Sequence, residues 1–282
     1  MRIRPLIAFL VVVWIAGPSW AVTLNVGHRG YSAANPENTL SALHAAFDVG
    51  ADMVEIDLQK SQDGYVVLMH DETVDRTTDG TGQVKRLTLA QLQALDAGSW
   101  FDPSFAGEPV PTLEEALLAG NGRGPLLLDQ KSGVTFGAEI AAAIATTAFP
   151  ISDLWVTAWD EAQVTDILAQ PALAGVRILW TETVAASGQT VPEYLDHKVA
   201  IGVDGISVVF ENYSWNFPTL LPEAHSRGLL AYAWNLEPFF PETPEKMALA
   251  LQLGLDGYIV NDPELFALGL AGLAVRARRR FH

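Results

Sequence analysis

The chain has 282 residues, 49% of them hydrophobic and 18% charged, which supports a large buried core and argues against wholesale disorder. Its formal net charge of −16 argues against nucleic acid as a partner, because that affinity rests on neutralising phosphates with lysine and arginine. The absence of cysteine excludes disulfides, thiol catalysis and cysteine-type zinc sites.

Residues 1–21 read as an export leader. Arg2 and Arg4 precede an apolar stretch from Leu6 to Ala16, and Ser19-Trp20-Ala21 is a small-x-small cleavage site. The stretch is shorter than the ~20 residues a spanning helix needs, so a signal peptide is expected, with an uncleaved anchor as the alternative. Cleavage after Ala21 would remove two arginines and no acid, taking the charge from −16 to −18. The expected location is the periplasm or the exterior.

Short runs rich in β-branched residues follow at Leu24–His28, Met53–Leu58, Tyr65–His70, Leu126–Gln130, Leu154–Ala158, Val176–Trp180, Gly205–Val209, Leu229–Trp234 and Gly257–Asn261. Helical periods lie between most of them, at Asn38–Val49, Phe136–Thr147, Glu161–Ala169 and Glu245–Leu253. Strands alternating with helices predict a parallel sheet covered by helices. With this many repeats the expected closure is a (β/α)8 TIM barrel, one domain over residues 22–282. Only Gln59–Gly64 separates the second run from the third, too little for a parallel crossover. Those two runs are therefore expected to form a hairpin turning at Asp63-Gly64, which leaves eight strands for the barrel and sets His70 beside Glu55.

The segment from Glu72 to Pro111 is long and irregular, with one short helical stretch at Leu89–Leu95. It is read as an insertion after the third strand, a lid or binding loop. Thr112 followed by Glu115 predicts a capping box on the next helix. At the end, apolar Leu265–Val275 precedes Arg276, Arg278, Arg279 and Arg280. Two readings stand: a final barrel helix with arginines at its C-terminal end, or a short sorting or anchoring tail with weak affinity for a lipid surface. The run is too short to span a bilayer unaided.

Chemistry concentrates at the strand ends. Glu55 and Asp57 are two apart on a strand and face the same side. Two carboxylates buried together resist joint ionisation, and a divalent cation such as Mg²⁺ or Ca²⁺ would relieve the conflict. A solvent-facing pair is the alternative. His28 and His70 each end an apolar run and can exchange protons near neutral pH. Arg29 offers a fork matched to a phosphoryl group. Asp129 and Lys131 share a face at another strand end, where they suit metal ligation and phosphate contact or form a simple ion pair.

Taken in order, His28-Arg29-Gly30, Asn35-Pro36-Glu37-Asn38-Thr39, Gly50-Ala51-Asp52-Met53-Val54-Glu55-Ile56-Asp57, Asp63-Gly64 and Val67-Leu68-Met69-His70-Asp71 form a distinctive series. Arg76-Thr77-Thr78-Asp79-Gly80-Thr81-Gly82, Pro111-Thr112-Leu113-Glu114-Glu115, Ala233-Trp234-Asn235 and Asp256-Gly257-Tyr258-Ile259-Val260-Asn261-Asp262-Pro263 continue it. The set resembles the glycerophosphodiester phosphodiesterase family of phospholipase-C-like barrels. That resemblance implies His28 and His70 as the acid/base pair, and Glu55, Asp57 and Asp129 as ligands of one divalent cation. It further implies Arg29 and Lys131 at the phosphate, Trp234 walling the glycerol end, and Glu37 orienting the Arg29 region. The family has Glu where this chain has Asp129, and Thr where it has Asn261. The shorter Asp129 is expected to alter metal affinity, whereas Asn261, nearer the rim, is expected to matter less.

The expected activity is metal-dependent hydrolysis of a small-molecule glycerophosphodiester to glycerol 3-phosphate and an alcohol. Two alternatives accompany it. One is headgroup cleavage of phospholipids or lysophospholipids, with Trp100, Phe101 and Phe105 as an apolar approach. The other is a periplasmic phosphodiester-binding protein without turnover.

Overall fold

The computed structural model describes residues 23–131, 133–181, 187–210, 217–235 and 242–268; the expected leader and the arginine-rich end of the tail lie outside the described residues. Nine strands run in chain order: β1 (Leu24–Gly27), β2 (Met53–Lys60), β3 (Val66–Leu68), β4 (Leu126–Gln130), β5 (Leu154–Ala158), β6 (Arg177–Thr181), β7 (Gly205–Val209), β8 (Leu230–Trp234) and β9 (Gly257–Val260). Eight are parallel neighbours in the circular order β1, β2, β4, β5, β6, β7, β8, β9, and β1 closes the ring by pairing with both β2 and β9. The result is a closed TIM barrel.

Alternation along the strands divides the core into layers. One set of side chains, from Val54 and Leu128 to Ala231 and Val260, faces outward into a large apolar shell shared with the surrounding helices. The other set fills the barrel: Val26, Met53, Leu127, Trp155, Leu179, Tyr232 and Ile259. Tyr232 sits in this plug with its ring 5.7 Å from that of Trp155. Its sheet partner is Gly257, where a Cβ would lie 2.1 Å from the Tyr232 ring, so glycine makes room for the plug. Above the plug the inward positions turn polar, and the site begins there.

β3, the strand outside the barrel ring, confirms the hairpin and corrects its register. β2 is eight residues long and its last residues pair antiparallel with β3, Leu58 opposite Leu68 and Lys60 opposite Val66. The Met69 N–H then donates to the Asp57 carbonyl at 3.1 Å. His70 thus falls level with Ile56, one residue from its expected place beside Glu55. The turn explains the difference. The Ser61 N–H bonds the Tyr65 carbonyl at 2.9 Å, leaving a three-residue loop with Gly64 at φ 89°.

The insertion after β3 packs Val74, Val84, Leu92, Ala97 and Val110 against Val67 of β3 and Met69 in a small second apolar cluster. It holds a helical turn at Leu89–Gln93 capped by Thr88. It ends at helix Leu113–Gly120, where Thr112 and Glu115 form the capping box. Among the last described residues, 263–268 are helical and Phe266 is fully buried against the barrel shell. Among the described residues no helix is long and apolar enough to cross a membrane.

Candidate functional site

The carboxyl ends of the strands deliver the charged residues. His28 and Arg29 follow β1, Glu55 and Asp57 lie on β2, His70 follows β3, and Asp129 and Lys131 lie at the end of β4. All of them, with Trp159 and Trp234, line one cavity of about 110 Å³. Glu37 stands just outside, lining an adjoining cavity of about 660 Å³ shared with His28, Arg29 and His70.

Local backbone geometry places the first of these residues. The chain leaves β1 through Arg29 at φ 54° and Gly30 at φ 84°. A left-handed arginine costs about 1–3 kcal/mol and persists only where its surroundings fix it. Here its N–H donates to Glu55 Oε2 at 2.8 Å. Gly30 is required, because a Cβ there would lie 2.5 Å from the Ala42 backbone. Arg29 then turns inward. Its NH1 donates to Glu37 Oε1 at 2.8 Å and its Nε lies 3.3 Å from Asp57 Oδ2.

Glu55, Asp57 and Asp129 are all buried, with oxygens within 4.8 Å of one another. Their compensation is unequal. The Lys131 ammonium lies between Asp57 Oδ1 and Asp129 Oδ2, 2.6 Å from the latter. Burial pushes the Asp57 carboxyl up, but Lys131 and Arg29 outweigh it and hold it well below the usual carboxylate range. Glu55 is pushed up, first by burial and then by the Asp57 and Asp129 charges. It is the carboxylate with the least positive charge at hand. A buried, all-oxygen triad with one under-compensated member fits a hard divalent cation. Asp129 is held by the Thr157 hydroxyl and by Trp159 Nε1 at 3.1 Å, as well as by Lys131. Those contacts fix the shorter side chain.

The two histidines differ. His28 Nδ1 donates to Asn261 Oδ1 at 2.6 Å, which leaves Nε2 facing Glu55 Oε2 at 3.9 Å. Burial, helped by the Arg29 charge, lowers the His28 pKa to about 3, so the ring is neutral at ordinary pH. His70 Nδ1 is 2.7 Å from Asp71 Oδ1. Arg76 grips that carboxylate with Nε at 2.7 Å and NH2 at 3.1 Å, and its hydrogen bonds hold Asp71 down at about 2 despite burial. The same guanidinium makes two 2.8 Å bonds to Glu37, so one arginine ties the His70 support to the Arg29 support.

Three contacts escaped the sequence reading. Asn38, at φ 58°, donates to Asp57 Oδ2 at 2.7 Å and accepts from the Asp57 N–H at 3.0 Å. Arg76 joins the two clusters. Asn261 touches a candidate catalytic histidine, contrary to the expectation that it matters less. Barrel closure is the reason: Gly27 pairs with Val260, so the next residues, His28 and Asn261, meet. The motif positions of Asn38 and Arg76 were visible; their partners, set by tertiary closure, were not. Trp100, Phe101 and Phe105 stack edge to face on one another and line neither cavity.

Buried carboxylates that could hold a metal ion, with phosphate-matched cations at the carboxyl ends of a parallel barrel, give this site the chemistry that a phosphoester would need. The chain belongs to the glycerophosphoryl diester phosphodiesterase family, whose model matches residues 28–265. A putative glycerophosphodiester phosphodiesterase of Bacillus subtilis is 42% identical over 132 residues, 46% of this chain and 54% of that one. The matched stretches span about half the length of such curated relatives. A crystal structure of the Agrobacterium tumefaciens glycerophosphodiester phosphodiesterase superposes with a TM-score of 0.73 at 26% identity, over 87% of this chain and 99% of that one. An Oleispira antarctica phosphodiesterase, solved with the product sn-glycerol-3-phosphate, gives 0.73 at 25% identity over 87% and 96%.

Proposed function

We propose that the protein hydrolyses glycerophosphodiesters to glycerol 3-phosphate and an alcohol, with Mg²⁺ or Ca²⁺ held by Glu55, Asp57 and Asp129. The observation that carries this reading is the buried triad meeting both histidines and Arg29 in one cavity. Family membership and the product bound by the Oleispira relative support it. Held by Glu55, Asp57 and Asp129, a divalent cation would supply Lewis-acid chemistry at the phosphoryl group.

The chain's own groups do the rest. Neutral His28, its Nδ1 engaged by Asn261, takes at Nε2 the proton of the attacking nucleophile, and one water supplies the hydroxyl that the glycerol 3-phosphate product gains. Arg29 offers the phosphoryl oxygens its guanidinium, oriented by Glu37 and Asp57. Lys131 adds positive charge beside it. His70, oriented by Asp71, delivers a proton to the departing alcohol. That alcohol leaves into the outer cavity, whose lining includes Ser32, Asp71, Arg76, Glu242 and Asp262. The charged groups among that lining suit a water-soluble diester, and Trp100, Phe101 and Phe105 are not among the lining residues of either cavity.

The test is glycerol 3-phosphate release from glycerophosphocholine and from lysophosphatidylcholine, each with Mg²⁺, Ca²⁺ and Mn²⁺. Turnover of the first well above the second is expected. Preference for the lysolipid would overturn the substrate assignment, and tight binding without turnover under every cation would favour a binding protein.

A further inference from the structure

The insertion after β3 sends one arginine back to the barrel rim. Arg76 sits in a turn at residues 75–77, and the backbone around it is fixed. The Gly82 N–H donates to Asp75 Oδ1 at 2.7 Å, and the buried Thr78 hydroxyl donates to the Val74 carbonyl at 2.7 Å. The Thr77 hydroxyl, in another buried residue, donates to Met69 Sδ at 3.2 Å. From this base the guanidinium grips two carboxylates, each by two bonds. Asp71 takes Nε at 2.7 Å and NH2 at 3.1 Å, and Glu37 takes NH1 and NH2 at 2.8 Å each. That uses four of arginine's five N–H donors, a fork that a lysine ammonium cannot reproduce. Isolated exposed ion pairs contribute little, but bidentate contacts joined in a network are the exception.

The two carboxylates depend on Arg76 unequally. Glu37 also holds Arg29 NH1 at 2.8 Å, and Arg29 in turn reaches Asp57 Oδ2 at 3.3 Å. The phosphate side therefore keeps its own contacts without Arg76. Among the described residues, only His70 and Arg76 hydrogen-bond the Asp71 carboxylate. Without Arg76, that carboxylate would keep His70 alone, on a side chain 30% exposed at the wide outer cavity. An ionised carboxylate only accepts, so the 2.7 Å contact places the hydrogen on His70 Nδ1 and leaves Nε2 for the cavity that His70 lines.

We propose that Arg76 is a positioning residue for protonation of the leaving alcohol: by gripping Asp71 against Glu37 it holds the Asp71 carboxylate on His70 Nδ1 and so keeps Nε2 aimed at the departing oxygen. The proposal rests on the function given above. As the phosphorus–oxygen bond breaks, its electron pair stays on the alcohol oxygen and takes the Nε2 proton. The alcohol leaves neutral, His70 is left as neutral imidazole, and proton exchange with water restores it.

The experiment varies the leaving group. Choline must gain a proton as it leaves, whereas 4-nitrophenol departs as a stable anion. The kcat for glycerophosphocholine and for the 4-nitrophenyl diester of glycerol 3-phosphate is measured in wild type and in Arg76→Gln. The variant loses at least about tenfold on the choline diester, a share of the ~10²-fold or more that general acid–base catalysis contributes, and clearly less on the nitrophenyl diester. Arg76→Lys, which keeps the charge and loses the fork, follows Arg76→Gln. Added to His70→Ala, Arg76→Gln costs nothing further on the choline diester, as expected of residues acting in one step. No loss, equal losses on the two diesters, or a full additive loss with His70→Ala overturns the proposal and leaves diester hydrolysis standing. If the wild type cleaves neither diester, the functional reading fails by itself, and the His70 imidazole nitrogens decide. ¹⁵N NMR of the neutral ring, assigned by loss of its signals in His70→Ala, shows one Nδ1–H tautomer in wild type and a mixture in Arg76→Gln. The same nitrogen shifts in both proteins overturn the positioning role.

Discussion

His28 and His70 are both imidazoles at strand ends, yet their partners give them different work. His28 leans on a neutral amide and is lowered to about 3 by burial and Arg29, whereas His70 leans on a carboxylate that Arg76 holds ionised. Replacing either by alanine should cost at least ~10²-fold in kcat, the low end for general acid–base catalysis. Near-normal turnover in either variant would remove that histidine from the chemistry. The His28 shift also has a stability consequence. A histidine near 6.5 when unfolded and about 3 when folded is protonated earlier in the unfolded chain. Its native environment therefore costs nothing above pH 6.5 and grows destabilising as pH falls towards 3. In chelator, His28→Asn should gain thermal stability relative to wild type across that window. A constant difference in Tm from pH 7 to pH 4 would show that the imidazole is not held neutral.

At the scale of elements, the barrel carries the site on strand ends, and one glycine keeps the plug beneath it packed. Gly257→Ala would drive a Cβ into the Tyr232 ring, and overpacking of this kind costs about 1–3 kcal/mol. Urea unfolding should show a lower midpoint with little change in slope, and an unaltered midpoint would mean that Tyr232 moves aside freely. The strands themselves were legible in the sequence, because β-branched runs and helical periods alternate over most of the chain. The hairpin was legible too, since Gln59–Gly64 cannot cross over. Its register was not: the three-residue loop sets His70 level with Ile56. The triad of Glu55, Asp57 and Asp129 was readable from spacing and resemblance, because alternation fixes which side chains share a face. Asn38 and Asn261 were opaque for the opposite reason. One acts through a left-handed backbone, and the other meets His28 only when β9 closes against β1.

For the whole molecule, a net charge of −16 would repel an anionic diester at long range. The site answers locally, with Arg29, Lys131 and Arg76 gathered at one barrel rim and a triad that a divalent cation would neutralise. High salt should therefore weaken this repulsion and leave the short, buried contacts largely intact. The scale of the two cavities, about 110 and 660 Å³, sets a small enclosed end for one half of the diester and an open end for the other. Cleavage should fall between them, at the phosphorus–oxygen bond of the alcohol in the outer cavity. The most direct measurement is ³¹P NMR of glycerophosphocholine incubated with the protein and Mg²⁺ or Ca²⁺. The diester resonance should give way to glycerol 3-phosphate and persist when chelator is present. A diester signal unchanged under both cations, or choline phosphate as the product, would contradict the account.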